Sequence, residues 1–351
     1  MATKPEMDGL DKRLLNKLQW EFPMVPRPFQ ALGDALGATE DEVLARVRQL
    51  KADRVLRQIS AIFDTRSLGY KSSLVAMRVG PDRVDEAAAV LNEHPGVSHN
   101  YKRNHAFNIW FTLAVPPPTS LEQTVEVLHR LAGAESTRIL QTLRLFKIGV
   151  KLDMTGTEDI TAQSNDGYGD DRRPAAGPAA IGPAEIAFIR ELQKDMALQP
   201  EAFLPWAQSL GVTVEALLQQ AARFQERGYM RRFAAVLHHR EAGFRANAMG
   251  VWKVPPDRVD ALGPTFASFN AVSHCYQRPV YPDWPYNVFT MIHGRTPADC
   301  QQVIQAISAA TGIDEYAVLY STKEYKKTRV PYFTAAEAAW EQKHLAGAPA
   351  A

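Results

Sequence analysis

Two short stretches of the chain place a histidine, a tyrosine and an arginine at alternate positions. They are His99, Tyr101 and Arg103 in the first stretch, and His274, Tyr276 and Arg278 in the second. Because side chains alternate across a β-strand, each trio shares one face, with neighbours about 6.6 to 7 Å apart. Histidine exchanges protons near neutral pH, and arginine binds anions. The spacing therefore predicts a surface that holds an anion beside a proton donor, although a purely structural sheet face is the alternative for either row.

The residues around the two rows differ. His105 falls at the turn that follows the first row, where histidine is unusual, whereas the second row is followed by an aromatic insertion, residues 279–286, without histidine. His293, on the next strand, is a candidate for the missing imidazole, and a surface histidine at a strand end is the alternative. Candidate substrate walls are Trp110 and Trp284, and candidate rim cations are Lys147 and Lys327, which we align as counterparts.

The rows belong to a tandem duplication. Leu36-Gly37-Ala38-Thr39 aligns with Leu210-Gly211-Val212-Thr213, and residues 97–103 align with residues 272–278. The alignment predicts copy one over residues 8–154, with a helix-turn-helix at 8–60 and a ferredoxin-like part at 61–154. Copy two is predicted over 184–335, divided into 184–234 and 235–335. Residues 155–183, rich in Gly, Pro, Asp and Ala, are predicted to be a flexible linker.

Within copy one, the hydrophobic spacing predicts three short helices and then a strand, which is a winged helix-turn-helix outline. Thr39 is the predicted N-cap of the third helix, with Glu42 in the capping-box position. The following segments predict the order βαββαβ, with strands at 73–79, 97–103, 107–115 and 137–150 and helices at 82–92 and 120–132. Copy two repeats this order, with helices near 184–197, 201–210, 213–227, 257–268 and 297–311. The predicted fold class is α+β, a tandem duplication of a winged helix-turn-helix plus ferredoxin-like module.

The overall composition argues against several classes of protein. With 40 basic and 39 acidic side chains, the net charge of +1 lacks the basic excess typical of duplex-DNA-binding proteins. No apolar run approaches the roughly 18 to 20 residues that span a bilayer, and the first residues do not resemble a secretory signal. We therefore expect a cytoplasmic protein. Cys275 and Cys300 are too few for a disulfide framework or a four-cysteine metal site.

Longer sequence strings around the rows carry a resemblance to a known family. They are His-Asn-Tyr-Lys-Arg-Asn-His-Ala-Phe-Asn-Ile-Trp-Phe-Thr at 99–112, and Ser-His-Cys-Tyr-Gln-Arg-Pro at 273–279 followed by Asp-Trp-Pro-Tyr-Asn-Val-Phe-Thr-Met-Ile-His-Gly at 283–294. The order of elements resembles the Lrp/AsnC family of regulators, and the strings resemble siroheme decarboxylases, which are Lrp-like enzymes that occur as paired subunits or fused two-copy chains. The resemblance implies removal of carbon dioxide from the C12 and C18 acetates of siroheme, giving 12,18-didecarboxysiroheme, in heme d1 synthesis or the alternative heme route.

The resemblance also implies roles for particular residues. The catalytic candidates, as proton donors or as contacts to the substrate iron or carboxylates, are His99, His105, His274 and His293. The substrate-binding candidates are Tyr101, Arg103, Trp110, Tyr276, Arg278, Trp284, Lys147 and Lys327. Because the macrocycle itself can delocalise the electron pair left by carbon dioxide, we expect a non-oxidative carboxy-lyase without an added cofactor or resident metal. Expected partners are the tetrapyrrole and neighbouring heme-pathway enzymes, with no specific DNA and no membrane.

A transcriptional regulator that senses a tetrapyrrole or small metabolite is the main alternative, because the same fold serves both functions. A tetrapyrrole carrier without catalysis is a further alternative. The predicted recognition helix of copy one begins with Glu40, Asp41 and Glu42, which would face DNA phosphates in a standard docking. The corresponding helix of copy two also lacks a basic stripe. These helices favour the enzyme over the regulator.

Overall fold

The computed structural model describes residues 7–148, 159, 161–164, 181–237 and 246–345. They divide into two compact units, and each unit takes residues from both copies of the duplication. The helical unit contains the described residues up to Tyr70, residues 181–237 and Pro331–Thr334, and the sheet unit contains the others. Most of the predicted linker, 155–183, lies outside the described residues, so its flexibility stays a prediction.

The described elements confirm the predicted α+β class. The helices are α1 (Gly9–Trp20), α2 (Pro28–Leu36), α3 (Glu40–Ala52), α4 (Val84–Asn92), α5 (Leu121–Ala132), α6 (Pro183–Leu192), α7 (Leu204–Leu210), α8 (Val214–Glu226), α9 (Val259–Ser268), α10 (Pro297–Thr311) and α11 (Ala335–His344). The strands are β1 (Leu56–Phe63), β2 (Lys71–Arg78), β3 (Val97–Arg103), β4 (Ile109–Val115), β5 (Ser136–Leu140), β6 (Arg144–Ile148), β7 (Met230–Leu237), β8 (Ala246–Trp252), β9 (Val272–Gln277), β10 (Val288–Gly294) and β11 (Tyr316–Lys327). None of the described helices is both long enough and apolar enough to cross a membrane.

The helical unit joins the two helix-turn-helix regions through a pair of strands. The side chain of Thr39 caps α3 by accepting a hydrogen bond from the Glu42 amide at 3.2 Å, as its sequence position predicts. Strands β1 and β7 pair antiparallel. The prediction of a helix over 184–197 was too long, because the chain after Leu192 bonds to β1 instead. There Met196 donates its amide hydrogen to the carbonyl oxygen of Ile59 at 2.9 Å.

The sheet unit is built on one nine-stranded antiparallel sheet in the order β5-β2-β4-β3-β11-β8-β10-β9-β6. The C-terminal part of each copy pairs with strands of both copies, through β5 and β6 in copy one and through the two halves of β11 in copy two. Strand β5 pairs with β2 of its own copy, whereas β6 pairs with β9 of the other copy. Likewise β11 pairs first with β8 and then with β3. The prediction of one continuous strand over 137–150 was therefore wrong, because the chain leaves β5 after Leu140 and resumes pairing at Arg144 on a different strand.

Hydrophobic clusters form on both faces of this sheet. On the outer face, α4, α5 and α11 cover the strands of copy one, and α9 and α10 cover those of copy two. The inner face carries a third cluster that combines buried side chains of both copies, namely Ala76, Phe107, Trp110, Leu140, Met249, Val251, Trp284, Phe289 and Leu319. Because both copies contribute to this inner cluster, neither inner face is complete without the other copy.

The strand exchange predicts how copy one behaves alone. A chain of residues 1–154 leaves β3 without the second half of β11 and β6 without β9. Unpaired strand edges and an open apolar face favour association. We expect this fragment to form a homodimer in which each β6 pairs with β3 of its partner. Sedimentation equilibrium should give twice the monomer mass, and a well-folded monomer would contradict the exchange.

Helix α11 buries a histidine on the outer face of copy one. The ring centroid of His94 lies 4.2 Å from that of Trp340, and its Nδ1 accepts the Gly96 amide hydrogen at 2.9 Å. Burial, and then the positive charges of Lys326 and His344, lower the pKa of His94 to about 3. The native ring therefore stays neutral at mildly acidic pH.

This buried ring predicts a loss of stability in acid. Below the ordinary histidine pKa of about 6.5, the unfolded chain binds a proton at His94 that the folded chain does not bind. Between pH 8 and pH 5 we expect this site to remove about 2 kcal/mol from the free energy of unfolding. In His94→Gln, urea unfolding should become less pH-dependent by that amount. An unchanged difference between pH 8 and pH 5 would contradict the prediction.

Candidate active site

The two predicted His-Tyr-Arg rows form on strands β3 and β9. The ring centroids of His99 and Tyr101 are 6.2 Å apart, and those of His274 and Tyr276 are 6.0 Å apart. In β3, Tyr101 lies opposite Trp110 of the inner cluster. In β9, Tyr276 similarly lies opposite Phe289. Both rows therefore lie on the inner face, where the two copies share one hydrophobic cluster.

A β-bulge precedes each histidine of the rows. In copy one the strand register shifts between Val97 and His99, and in copy two it shifts between Val272 and His274. The extra residue is a serine in both copies. Its hydroxyl oxygen lies 3.1 Å from Nδ1 of His99 for Ser98, and 2.8 Å from Nδ1 of His274 for Ser273. Because bulges redirect side chains, this one brings a serine hydroxyl to a histidine that follows it directly in sequence.

The two arginines of the rows are buried rather than placed on an exposed rim. Arg103 is 5% exposed and Arg278 is 7% exposed. Nη1 of Arg103 donates to the carbonyl oxygen of Leu319 at 3.1 Å, and Nη1 of Arg278 donates to that of Leu140. Each acceptor belongs to the other copy. The guanidinium carbon of Arg278 also lies 4.6 Å from the ring centroid of Tyr276.

Burial leaves these guanidinium groups partly unsatisfied. It lowers the pKa of Arg103 and of Arg278 to about 10 each, so both remain protonated at neutral pH. The buried Nε atom of each has no hydrogen-bond partner among the described residues. A buried donor on a cation is costly unless an acceptor satisfies it, and a carboxylate is the acceptor that matches a guanidinium best. The site is therefore suited to a ligand with carboxylates.

His105 and the insertion of copy two meet inside the inner cluster. Nδ1 of His105 accepts the Phe107 amide hydrogen at 3.0 Å, so a neutral ring carries its proton on Nε2. The His105 ring lies 5.3 Å from Trp284, which in turn lies 5.1 Å from Trp110. Trp284 is fully buried. The insertion thus fills space beside the copy-one turn, and both tryptophans contact protein side chains there.

The lysine candidates occupy different faces of the sheet. Lys147 pairs with Cys275, and Lys326, not Lys327, has the equivalent position opposite Asn100. The predicted correspondence of Lys147 with Lys327 was therefore wrong by one residue, because the register shifts at the same point in both strands, just before Lys147 in β6 and just before Lys326 in β11. Nζ of Lys147 is buried and donates to the carbonyl oxygen of Phe269 at 2.8 Å, at the end of α9. This position removes Lys147 from the rim, whereas Lys327 pairs with His99.

The protonation of His274 depends on its surroundings. Burial, and then the positive charges of His293, His99, Arg278 and Lys147, lower the pKa of His274 to about 4. Burial also lowers the pKa of His105. A neutral imidazole can accept a proton or pass one on without carrying a permanent charge. The charge of a protonated His99 lowers the pKa of His274. The histidines of the two rows are therefore coupled electrostatically.

Sequence reasoning missed three polar residues near the rows. Ser98 and Ser273 precede their histidines in both copies, and this repeated Ser-His pair was the available signal. Arg138 binds Asp283 of the insertion with Nη2 to Oδ2 at 2.7 Å and lies 5.2 Å from the ring centroid of Tyr281. No sequence signal connects Arg138 to the insertion, because the two are distant in the chain. In the described part of the chain, no three His, Cys, Asp or Glu side chains come together at a metal-binding distance.

Comparison with known proteins agrees with this architecture. Residues 67–147 and 241–326 match the AsnC-like ligand binding domain, and residues 11–57 match the siroheme decarboxylase NirDL-like HTH domain. The fold and the paired inner faces thus define an AsnC-like protein with two ligand-binding domains in one chain.

Relatives of the whole chain narrow this class. A siroheme decarboxylase of Hydrogenobacter thermophilus is 38% identical, with the alignment covering 92% of this chain and 94% of that protein. A siroheme decarboxylase NirDL subunit of Paracoccus denitrificans is 32% identical, over 92% of this chain and 96% of the relative. A crystal structure of the siroheme decarboxylase NirDL in co-complex with an iron-uroporphyrin III analogue matches with a TM-score of 0.76 and 32% identity, over 96% of this chain and 99% of that one. The chain belongs to the siroheme decarboxylase family.

Proposed function

We propose that the chain is a siroheme decarboxylase that removes carbon dioxide from the C12 and C18 acetates of siroheme, giving 12,18-didecarboxysiroheme. The observation that carries this proposal is the pair of His-Tyr-Arg rows on one inner face shared by both copies. The reaction is a non-oxidative carboxy-lyase reaction. The tetrapyrrole is the substrate and partner, and its place in heme d1 or heme synthesis follows from the family.

Each residue type of the rows suits one part of this chemistry. Siroheme is a flat macrocycle edged with carboxylates, so its site needs aromatic or aliphatic contacts together with cations. Arg103 and Arg278 supply buried cations whose Nε atoms can donate to substrate carboxylates. Tyr101 and Tyr276 lie between the arginine and the histidine of each row and can contact the macrocycle or its side chains.

The histidines serve the proton that the reaction consumes. Loss of carbon dioxide leaves an electron pair on the methylene carbon, and the conjugated macrocycle delocalises it, so no added cofactor is needed. A methyl group forms when that carbon receives a proton. We assign the proton donor to the row histidines, His99 and His274, because general acids work within hydrogen-bond reach of the reacting group. His105 and His293 act from positions further from the reacting carbon. His105 accepts the Phe107 amide hydrogen, and His293 contacts the Ser273 hydroxyl.

The experiment that tests the function is direct. Purified protein is incubated with siroheme under anaerobic conditions. The tetrapyrroles are then separated, and their masses are measured by mass spectrometry. We expect one and then two carbon dioxide units to be lost, and labelled solvent should introduce one hydrogen isotope into each new methyl group. Siroheme that binds but stays intact would indicate the carrier instead. Siroheme that neither binds nor reacts would remove the proposal.

The helical unit disfavours the regulator. The cations of α3 are engaged within the unit, since Nη1 of Arg46 binds carboxylate oxygens of Asp8 at 2.8 Å and of Asp11 at 3.0 Å. Lys51 pairs with Asp195 from the other copy. A recognition helix needs such cations for DNA phosphates, but here carboxylates bind Arg46 and Lys51, and Arg48 donates to the carbonyl oxygen of Leu198. Specific, salt-sensitive binding to genomic DNA fragments in a gel-shift assay would support a transcriptional regulator instead.

A further inference from the structure

A continuous line of hydrogen-bonding side chains leads from His274 to the surface of copy two. The hydroxyl oxygen of Ser273 lies 2.8 Å from Nδ1 of His274 and 2.7 Å from Nε2 of His293. Nδ1 of His293 lies 2.7 Å from Oδ1 of Asn247, which is exposed. Ser273 itself is 1% exposed. The buried hydroxyl of Ser273 thus joins the imidazoles of His274 and His293, and the His293 ring contacts the exposed Asn247.

The described residues of copy one lack the outer half of this line. Ser98 contacts His99 as Ser273 contacts His274, but its hydroxyl oxygen then lies 2.7 Å from Oγ1 of Thr112. The position aligned with His293 is Ala114, which is buried. The two rows therefore match in their inner residues and differ in what stands behind the histidine.

We propose that Ser273 and His293 form a relay that carries protons from solvent to His274, so that copy two resupplies the proton consumed in each decarboxylation. This inference rests on the proposed function and adds two positioning residues to it. Imidazole and hydroxyl groups both donate and accept, which is what a relay requires. His274 is the catalytic residue, and the other two act through it.

The hydrogen-bonded side chains allow a balanced transfer of protons during decarboxylation. As carbon dioxide leaves, the Nε2–H bond of His274 breaks and a C–H bond forms at the methylene carbon. The hydroxyl proton of Ser273 moves to Nδ1 of His274. The Nε2 proton of His293, whose ring starts protonated on both nitrogens and donates its Nδ1–H to Oδ1 of Asn247, moves to Ser273, and solvent then returns one proton to the His293 ring. One carboxylate and one solvent proton become one methyl group and one carbon dioxide. Solvent exchange after product release restores the starting tautomers.

The surroundings explain why His274 needs a relay. Its low pKa means that the ring holds no second proton at neutral pH, so each proton donated must be replaced. The charged groups that act on it are His293 on β10, His99 on β3, Lys147 on β6 and Arg278 after β9, and all are cationic when protonated. These positive charges oppose storage of a proton at His274. A relay avoids storage because a proton leaves as another enters.

The test uses the full chain and two variants, His293→Ala and Ser273→Ala. Removing a step in general acid catalysis costs typically 10²-fold or more, and partial bypass by water makes about 10-fold to 100-fold the expected loss in kcat for each variant. The dissociation constant of siroheme, measured from its absorption spectrum, should stay unchanged. Added imidazole should restore His293→Ala but not Ser273→Ala. The matched control is His129→Ala, because His129 also bonds a hydroxyl, Thr137, at 2.8 Å but lies on α5.

A second readout does not need the substrate. With ¹⁵N-labelled histidine, Nδ1 of His274 in the free protein should show the chemical shift of a ring nitrogen that accepts a hydrogen bond, and Ser273→Ala should abolish that signature. Full kcat in both variants, or His274 signals that are unchanged in Ser273→Ala, would overturn the relay. Weaker siroheme binding that accounts for the whole loss would also overturn it, in favour of a structural role. If the wild-type protein does not decarboxylate siroheme, the proposed function fails, and the nuclear magnetic resonance result still decides the relay.

Discussion

His274→Gln is expected to lower the kcat for siroheme decarboxylation by about 100-fold or more, the usual range when a general acid is lost. Glutamine keeps a hydrogen-bonding group of similar size beside Ser273, so the strand and the bulge should persist. It cannot carry a proton to the substrate. Siroheme binding should change little, because the buried cations Arg103 and Arg278 remain. Single-turnover decarboxylation at saturating siroheme measures the effect.

His99→Gln provides the comparison between copies. His99 occupies the equivalent place in copy one, where Ser98 contacts Thr112 and the position aligned with His293 is Ala114. We therefore expect a smaller loss in His99→Gln than in His274→Gln. Equal losses would mean that both rows protonate substrate independently of the line behind them. A greater loss in His99→Gln would contradict the expectation that the relay makes His274 the more effective of the two proton donors.

The sequence alone was sufficient for the features that depend on short-range patterns. Alternation of His99, Tyr101 and Arg103 predicted a shared face because strand geometry is local. The duplication predicted that copy two would repeat the row. The alignment also predicted that the copies would differ after the rows, at His105 and the aromatic insertion. In each case the relevant residues lie within about one hairpin of one another.

The remaining features depend on pairing between distant strands. The exchange of β6 and β11 between copies depends on which edges are open after each ferredoxin-like part has formed, and hydrophobic spacing does not report this. The correspondence of Lys147 with Lys326 follows from their pairing opposite Cys275 and Asn100, and the error of one residue matters because such a shift moves a side chain to the other face. The burial of Arg103 and Arg278 depends on carbonyl acceptors from the other copy. These contacts have no signature near the arginines in sequence.

Replacement of Trp284 should have the largest effect on stability. It also tests whether Trp284 belongs to the hydrophobic core or forms a wall of the substrate site. Its ring contacts His105, Trp110 and Phe289 and is fully buried. Trp284→Ala would leave a cavity in the inner cluster, and such changes cost about 3 to 5 kcal/mol in free energy of unfolding. Trp20→Ala, at a position that is 67% exposed, is the matched control and should cost well under half as much. Urea unfolding of both variants measures the difference.

Trp284→Phe then separates packing from binding. The buried Nε1 of Trp284 has no hydrogen-bond partner among the described residues, so phenylalanine removes no protein hydrogen bond. If the ring serves only the core, this variant should regain most of the stability lost in the alanine variant and bind siroheme normally. If Nε1 donates to a substrate carboxylate, the phenylalanine variant will be stable but will bind siroheme several-fold more weakly. A phenylalanine variant as unstable as the alanine variant would contradict both roles, because neither predicts that a ring of similar shape fails to fill the inner cluster.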